Sequence, residues 1–346
     1  MVMFMEKCLP RYLQIKIVTE AKIWEDFWDA HAPQALFQSW LWGEVVNQQL
    51  LPIVRFGLYE GPKLVGIFQV VTIRARRGTY LHVRHGPIFV TQKEEYWKSV
   101  LSYLTSLARK EKAWFCRVSP QLHDLPENRR FLGSLGLIPS AVHEVDAERC
   151  WCLQLSQTEE ELMMGMRKTT RYEIRQSEKM GVKVISSDNP ADLDKFFNLY
   201  EETSNRQHFI QHKGIREEFE IYSREKQTVL LLGYHEKSLL SAAIILFSGN
   251  QAIYHHGASI NSKVPVNYAV QWEAIRTAKK RGYEFYNFWG VAPLENPAHP
   301  WSGHSLFKRG FGGSEVVTIH AHDLPTSAFY PVTRAIEWWE ERGKRY

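Results

Sequence analysis

The chain has 346 residues, of which 44% are apolar, and this supplies ordinary packed cores for about two domains. Its 43 Lys and Arg residues against 38 Asp and Glu leave a net charge of +5, which suits an anionic partner without requiring one. These values exclude a disordered or collagen-like chain, and they are far less lopsided than those of histones or RNA-coating tails.

The N-terminal segment and the cysteines predict a cytoplasmic protein. Residues 1–20 lack a continuous apolar core with a small-residue cleavage site, so no signal peptide is expected. The longest uncharged apolar stretch, 238–249, is too short for a transmembrane helix. The cysteines contain one C-x-C pair, which fits neither a disulfide framework nor a four-ligand zinc site. They are Cys8, Cys116, Cys150 and Cys152.

The first half of the chain predicts a meander of strands followed by a helix and one more strand. Alternation of apolar residues marks the strands, and a turn at 60–63 joins the first two of them. The predicted elements are strands at 53–59, 64–73 and 80–84, a helix near 93–112 and a strand at 113–118.

The second half repeats this order at a nearly constant offset. Its predicted elements are strands at 229–234, 239–247 and 251–255, a helix near 266–281 and a strand at 284–289. A meander, a helix and a returning strand are typical of one acetyltransferase-like domain. We therefore predict an α+β fold of two acetyltransferase-like (GNAT-type) domains in tandem. The predicted domains are 1–150 and 151–325, followed by a C-terminal helix at 326–346.

One long helix is predicted between the halves, at 156–181. Thr158 and Glu161 suit a capping box at its start, and Gly181 suits its C-terminal cap. Its apolar face consists of Leu162, Met166, Thr170 and Ile174. Another face carries four cations at spacing four, which repel one another unless an anion faces them. These cations form either a solvated face or a binding site for tRNA or other phosphates, and they are Arg167, Arg171, Arg175 and Lys179.

Several common catalytic motifs are missing from the sequence. It has no G-x-x-x-x-G-K-[ST] loop, no G-x-G-x-x-G after a predicted strand, no H-E-x-x-H and no G-x-S-x-G. The turns at 85–88 and 259–265 occupy the places where a coenzyme A-dependent acetyltransferase cradles pyrophosphate, yet they are not glycine-rich. We therefore expect no coenzyme A donor, no metal and no other cofactor.

The most informative stretch is a predicted strand at 283–291, followed after a loop by 305–313. Lys308 stands there among aromatic residues and glycines. In such an apolar run the dielectric is low, so the charge of a lysine interacts more strongly with a developing oxyanion than it does in water. Composition alone equally allows a surface lysine on an amphipathic turn.

These segments resemble the FemABX family of peptidoglycan-bridge aminoacyltransferases. The specific matches are W-E-A-I at 272–275, Y-N-F-W-G at 286–290 and F-K-R-G-F-G at 307–312. The basic helix at 166–175 and, in the first half, 37–39, 42–43 and 85–88 fit the same pattern. The resemblance covers about 36–321.

The resemblance implies transfer of an amino acid from aminoacyl-tRNA to an amine on the stem peptide of a cell-wall precursor. It implies that Lys308 contacts the aminoacyl donor and the tetrahedral oxyanion, and that Phe307 positions the end of the tRNA. Arg206 matches an arginine that binds the phosphates of the precursor. Further substrate-binding positions are Trp42, Tyr268 and Trp289. Because only 207–227 is available for the helical arm of some relatives, the chain resembles the short, armless form.

Two departures from the family pattern bear on the acceptor and on proton transfer. Val46 stands where relatives that bind nucleotide-linked precursors commonly have lysine, which favours a lipid-linked or different acceptor and allows peripheral contact with the inner face of the membrane. Ser119 stands where many relatives have aspartate, so no carboxylate base is expected at that position. Two alternatives stay open at this point: an acyl-CoA-dependent N-acyltransferase and a non-catalytic binding relative.

Overall fold

The structure is a computed structural model that describes residues 12–75, 78–142, 146–207 and 211–343. Cys8, the start of the segment assessed for a signal peptide and the last residues of the predicted C-terminal helix lie outside these ranges. Contacts divide the chain into two compact units. One unit ends at Asp146 and resumes at Ile319, and the other is Ala147–Thr318.

The elements alternate between strands and helices in both units. The first unit begins with β1 (Leu13–Ile17), α1 (Ala21–His31), a 3-10 turn (Leu36–Gln38), α2 (Trp40–Gln48), β2 (Ile53–Glu60), β3 (Lys63–Ala75), β4 (Gly78–Arg84), β5 (Ile88–Phe89), α3 (Glu94–Lys110), β6 (Phe115–Ser119), α4 (Pro126–Ser134) and β7 (Ile138–Pro139). The second unit contains β8 (Arg149–Gln154), α5 (Glu159–Gly165), α6 (Lys168–Lys179), β9 (Lys183–Ser187), a 3-10 turn (Pro190–Asp192), α7 (Leu193–Gln207), α8 (Ile215–Arg224), β10 (Thr228–His235), β11 (Ser238–Ser248), β12 (Gln251–Ser259), α9 (Val266–Lys280), β13 (Phe285–Gly290), α10 (Ser302–Arg309) and β14 (Ser314–Val317). The chain then returns to the first unit with β15 (His322–Pro325) and α11 (Tyr330–Gly343).

Each unit is built on one mixed sheet. The strand order is β1-β2-β3-β4-β6-β15-β7 in the first unit, where β5 also pairs with β3, and β14-β8-β13-β12-β11-β10-β9 in the second. In each sheet the meander is antiparallel and the strand after the long helix returns parallel to it, as β4 with β6 and β12 with β13. The predicted α+β fold with one meander in each half is confirmed.

Both meanders begin with a tight hairpin that needs a left-handed residue. Gly61 has a φ of 62° between β2 and β3, and Glu236 has a φ of 55° between β10 and β11. Glycine adopts this conformation without the steric cost that a side chain adds. Both units form a two-residue turn with a left-handed first residue. In the second unit this residue is Glu236, which bears the steric cost that glycine avoids.

The long helix of each unit buries an apolar face against its sheet. In α3 the buried residues recur at helical spacing and include Trp97, Val100, Leu104 and Ala108. In α9 they include Val270, Ala274 and Ala278. Each unit thus has its own core, on which the positions of its strand ends and loops depend.

The predicted single helix at 156–181 is wrong, because the chain breaks it into α5 and α6. The capping box of Thr158 and Glu161 is present, and Gly181 follows α6 with a φ of 75°. Between the helices, Met166 and Arg167 are extended, and the Arg167 amide donates to the Gly310 carbonyl oxygen at 2.9 Å. The break thus lets a backbone amide pair with the segment after α10 instead of with its own helix.

The segment available for a helical arm is short. Of the segment 207–227, Gln207 ends α7 and 211–227 contains α8, while residues 208–210 lie outside the described ranges. Among the helices in those ranges, none is both long enough and apolar enough to cross a membrane.

Candidate functional site

Lys308 lies on α10, which is bound to the backbone at and just after the end of β13. The Lys308 ammonium donates to the Gly290 carbonyl oxygen at 2.5 Å, and Arg309 donates to the Ala292 carbonyl oxygen at 2.6 Å. The Ser305 hydroxyl accepts from the Ala292 amide at 2.7 Å. Because one helix supplies all three bonds, the position of the lysine relative to the end of β13 is fixed.

The environment of Lys308 alters its acidity. The side chain is half-buried, and burial lowers its pKa to about 8. At neutral pH the group remains mainly an ammonium, because this pKa still lies above 7. A partly desolvated ammonium of this kind can stabilise a developing negative oxygen more strongly than an exposed one.

A cavity of about 520 Å³ lies beside Lys308 and is of the size expected for a small-molecule site. Four predicted site residues line it together: Arg206, Tyr268, Phe307 and Lys308. The remaining walls come mainly from α7, the end of β12, the following loop and α9. Among the described residues that line the cavity none is acidic, so its electrostatic character is positive.

Three aromatic rings pack together along one side of this cavity. The ring centroids of Tyr268 and Phe307 are 5.1 Å apart, and those of Phe307 and Phe311 are 5.3 Å apart. Phe311 is fully buried, whereas Phe307 and Tyr268 line the cavity. Burial raises the pKa of Tyr268, so its hydroxyl is neutral at physiological pH. The two lining rings offer apolar surface next to the ammonium.

Arg206 and His304 add polar groups to the cavity. Arg206, in the last turn of α7, donates to the Ser259 carbonyl oxygen at 2.8 Å. Burial, and then the positive charges of Lys308 and Arg206, lower the pKa of His304. The shift favours the neutral imidazole, and Arg206 and Lys308 are the Lys and Arg residues that line the cavity in the described part of the chain.

Trp289 is not among the described lining residues of this cavity. It has a φ of 65°, and its amide donates to the Asn287 side-chain oxygen at 2.8 Å, where the pairing of β13 with β8 is irregular. Its ring contacts His255, with centroids 5.2 Å apart. The structure therefore places Trp289 against a histidine cluster, and its predicted substrate contact stays a prediction.

That cluster joins Glu218 of α8 to two consecutive histidines of β12. A β-bulge leaves His255 opposite no partner on β11, so both imidazoles reach the same carboxylate instead of pointing to opposite faces. His255 Nδ1 lies 2.9 Å and His256 Nε2 3.1 Å from Glu218 Oε1. Burial alone would raise the pKa of Glu218, but the two imidazoles outweigh it and hold the pKa well below its usual range.

The sequence lacks the H-E-x-x-H spacing of a zinc hydrolase, and nothing in it connects these histidines with Glu218. The ligand atoms of Glu218, His255 and His256 lie within 4.8 Å of one another, so the three residues are suited to a metal ion as well as to their present hydrogen bonds. The H-H pair alone is a weak signal, because a regular strand would separate its side chains. The absence of a metal stays a prediction.

The four cations of the predicted basic stripe have different environments. Arg167 donates to the Leu306 carbonyl oxygen at 3.1 Å, and Arg171 donates to the Met166 carbonyl oxygen at 2.5 Å. These two arginines bind backbone at the break between α5 and α6. Arg175 and Lys179 are exposed on α6. In the described part of the chain, the helix break thus engages Arg167 and Arg171 in hydrogen bonds to backbone, whereas Arg175 and Lys179 lie on the exposed surface of α6.

Trp42 belongs to the first unit. Its side chain is buried on α2, with its ring centroid 4.7 Å from that of Phe37. The Arg84 guanidinium lies 3.4 Å from the Phe37 centroid and 5.6 Å from that of Trp42. Val46, one turn further along α2, is also buried. The predicted role of Trp42 in substrate binding stays a prediction.

The carboxylate of Asp146 lies next to the Ser119 side chain. The Ser119 hydroxyl donates to the Asp146 Oδ2 atom at 2.7 Å, and Arg84 donates to the Asp146 Oδ1 atom at the same distance. Burial would raise the pKa of Asp146, but Arg84, followed by His82 and His85, holds it well below its usual range. The expectation of no carboxylate base at position 119 stays a prediction, because that residue is serine and the neighbouring Asp146 is paired with Arg84.

Comparison of the sequence with known proteins finds a matching family and a curated relative. A model of the FemAB family matches residues 19–127, 143–219 and 211–337. The lipid II:glycine glycyltransferase of Staphylococcus epidermidis is 21% identical over 334 residues, which cover 75% of this chain and 80% of that protein.

Solved structures confirm the tandem fold. The crystal structure of FemX superposes with a TM-score of 0.81 and 16% identity, covering 94% of this chain and 100% of that one. A tandem GNAT protein from the clavulanic acid biosynthesis pathway has a TM-score of 0.56 and 10% identity, over 91% and 99% of the two chains. L-PGS from Bacillus licheniformis has a TM-score of 0.54 and 13% identity, over 92% and 95%.

Proposed function

The chain belongs to the FemAB family, and from this we propose that it is an aminoacyltransferase that acts on a peptidoglycan precursor. The donor is aminoacyl-tRNA, and the acceptor is an amine of the stem peptide. The name of the Staphylococcus epidermidis relative, a lipid II:glycine glycyltransferase, favours a lipid-linked precursor as the acceptor. We place the reaction in the cytoplasm, where charged tRNA is made.

The observation that carries this proposal is the Lys308 ammonium at the wall of a cavity without acidic lining residues in the described chain. Attack of an amine on an amino ester creates a negative oxygen on the former carbonyl. An ammonium that is already held in place stabilises that oxygen without reorganisation during the reaction. The carbonyl oxygen of Gly290 occupies one N–H of Lys308, and an ammonium has two further donors for the oxyanion.

The chemistry needs no covalent intermediate on the protein. The acceptor nitrogen forms a bond to the ester carbon, the tetrahedral intermediate collapses, and the bond from that carbon to the ribose oxygen of the tRNA breaks. The nitrogen loses a proton to solvent or substrate, and the ribose oxygen gains one. Since the ester is already activated, holding both substrates in position supplies much of the rate enhancement.

Other residues of the site suit parts of these substrates. Phe307 and Tyr268 present aromatic surface on which the terminal base of the tRNA can stack. Arg206 suits a phosphate of either substrate, and Trp42 and Trp289 are proposed to contact substrate. On α6 the exposed Arg175 and Lys179 suit the tRNA backbone, with Arg167 and Arg171 beside them.

The test is a transfer assay with purified protein. A pool of tRNAs, each charged with a labelled amino acid, is offered with lipid-linked and with nucleotide-linked precursor in separate reactions. We expect label to appear on the lipid-linked precursor, with less or none on the nucleotide-linked one. Lys308→Ala should lose most of this activity, while Lys237→Ala, a change of a lysine in the β10–β11 turn, should retain it.

Two results would overturn the proposal. One is the absence of transfer to either precursor with every charged tRNA. The other is turnover of acyl-CoA by the same preparation, because this would make the chain an acyl-CoA-dependent acyltransferase of the same fold.

A further inference from the structure

The last helix, α11, points its polar side chains inward and its apolar side chains outward. Thr333 and Glu337 are buried, with exposures of 1% and 2%. Trp338 and Trp339 are 49% and 72% exposed. The other large apolar side chains exposed here are Phe329, Val332 and Ile336. A surface helix of a soluble domain normally has the opposite orientation.

A buried ion-pair network holds the helix in this orientation. Arg117 of β6 donates to Glu337 at 2.8 Å and to Asp323 of β15 at 2.7 Å, and all three side chains are almost fully buried. The Tyr330 hydroxyl donates to Asp323 at 3.0 Å. Rolling α11 to bury its tryptophans would remove Glu337 from Arg117 and leave buried charges unpaired, which is strongly unfavourable. The apolar face therefore stays outward.

The outward residues form a broad face. Val332, Ile336 and Trp339 follow one another at spacings of four and three, so they share one side of the helix, and Phe329 lies in the turn just before it. Trp338 lies on the adjoining side, where it lines a groove with Pro331 and Ala335. Contiguous apolar surface of this kind marks a place of contact with a membrane or with another macromolecule.

Cations adjoin this face. The Phe329 ring centroid lies 5.3 Å from that of Trp114, a few residues beyond the end of α3. Four exposed cations lie near Trp114 along the chain or across the sheet: Arg109, Lys110 and Lys112 at or just after the end of α3, and Arg74, which pairs on β3 with Thr79, whose carbonyl oxygen accepts from the Trp114 amide.

Close packing between the start of β4 and Trp114 places the end of β3, which carries Arg74, beside Trp114. Gly78, which pairs with Ala75, lies so near Trp114 that a Cβ on it would be 2.4 Å from the ring. Among the residues whose side chains the structure describes, Glu111 lies 3.6 Å from Arg74, and Glu340 lies in the last part of α11. The margin beside Trp114 is therefore clearly cationic.

We propose that α11 and this cationic margin form a docking surface for a membrane that carries anionic headgroups. Tryptophan is favoured at the boundary between headgroups and acyl chains, and lysine and arginine are attracted to anionic lipids. An apolar helix face with adjoining cations is the pattern of a helix that lies in the membrane plane. The inference goes beyond the proposed transfer reaction, because it depends on the lipid surface and on no acceptor.

The test measures binding of the full chain to vesicles that contain no wall precursor. We expect binding to vesicles of phosphatidylcholine mixed with phosphatidylglycerol, weaker binding to phosphatidylcholine alone, and loss of binding as salt is added. Trp338→Ser with Trp339→Ser should weaken binding by about tenfold or more, since two large apolar side chains leave the lipid. Lys110→Gln with Lys112→Gln should weaken it by roughly fivefold for each charge.

The chain offers matched controls for both changes. Leu50→Ser removes an apolar side chain that is 90% exposed and is not part of α11. Lys63→Gln removes an exposed lysine at the start of β3, at the opposite end of that strand from Arg74. Both controls should bind vesicles like the unchanged protein. Circular dichroism and thermal unfolding show whether each variant is folded.

Three outcomes would overturn the inference: no binding to anionic vesicles, equal binding by the tryptophan variant, or equal weakening by the controls. The inference is also overturned if the unchanged chain dimerises in solution and the tryptophan variant does not, because the face is then an interface between two copies. Failure of amino acid transfer with intact vesicle binding would overturn the proposed function alone, and the reverse result would overturn this inference alone.

Discussion

The Lys308 ammonium donates a 2.5 Å hydrogen bond to the Gly290 carbonyl oxygen at the end of β13. The bond orients a long, flexible side chain whose free rotation would otherwise weaken any single contact. Ser305 and Arg309 bind the backbone at Ala292, so the helix that carries the lysine is fixed as well. The charge beside the cavity is therefore preorganised.

Lys308→Ala should lower the turnover of amino acid transfer by roughly 10²–10³, the usual loss when one oxyanion donor is removed. The Michaelis constants for donor and acceptor should change much less, because the contact strengthens in the transition state. Steady-state kinetics of the folded variant measure both. Near-normal turnover would show that the lysine is not the oxyanion donor.

The pH profile of transfer should fall above about pH 8. Burial lowers the pKa of Lys308 to about 8, so the ammonium is present below this pH and is lost above it. The acceptor amine, in contrast, becomes more nucleophilic as it loses its proton, which gives a rising limb at lower pH. Measuring kcat/KM against pH checks this prediction. In Lys308→Ala the falling limb should disappear, and its persistence there would assign that limb to another group.

Arg117→Met should lower the free energy of unfolding by about 3–5 kcal/mol, since it leaves Asp323 and Glu337 buried without their cation. Urea denaturation measures the change. Arg129→Met is the matched control, because its ion pair with Asp124 is largely exposed and should contribute about 0–1 kcal/mol. Equal effects of the two substitutions would contradict the assigned importance of the buried network.

Arg175→Gln and Lys179→Gln should weaken tRNA binding and reduce its salt dependence. Each lost phosphate contact should lower the slope of log affinity against log salt by about 0.7–0.9. Binding measured over a salt series gives this slope. Arg171→Gln should instead reduce thermal stability, because this arginine binds the Met164 and Met166 carbonyl oxygens. An unchanged slope in the first two variants would remove α6 from the tRNA site.

In each half, the order of meander, long helix and returning strand was predictable because it depends on local patterns. The alternation of residues in β2 and β3 and the helical spacing in α3 and α9 are properties of short segments. The break at Met166 was not predictable in this way, since the apolar face of 156–181 continues through it. There the Arg167 amide donates to the carbonyl oxygen of Gly310, a residue far away in the sequence.

In the candidate site, too, some features depend on local sequence and others on contacts between distant segments. The sequence by itself determined that Lys308 and Phe307 stand together in an aromatic and glycine-rich segment, because neighbours in a short helix remain neighbours in space. Only the tertiary structure decided that Asp146 meets Ser119 and that Glu218 meets His255. These pairs are remote in sequence, and the path of the chain and the closure of its loops bring them together. Local periodicity contains no information on that path.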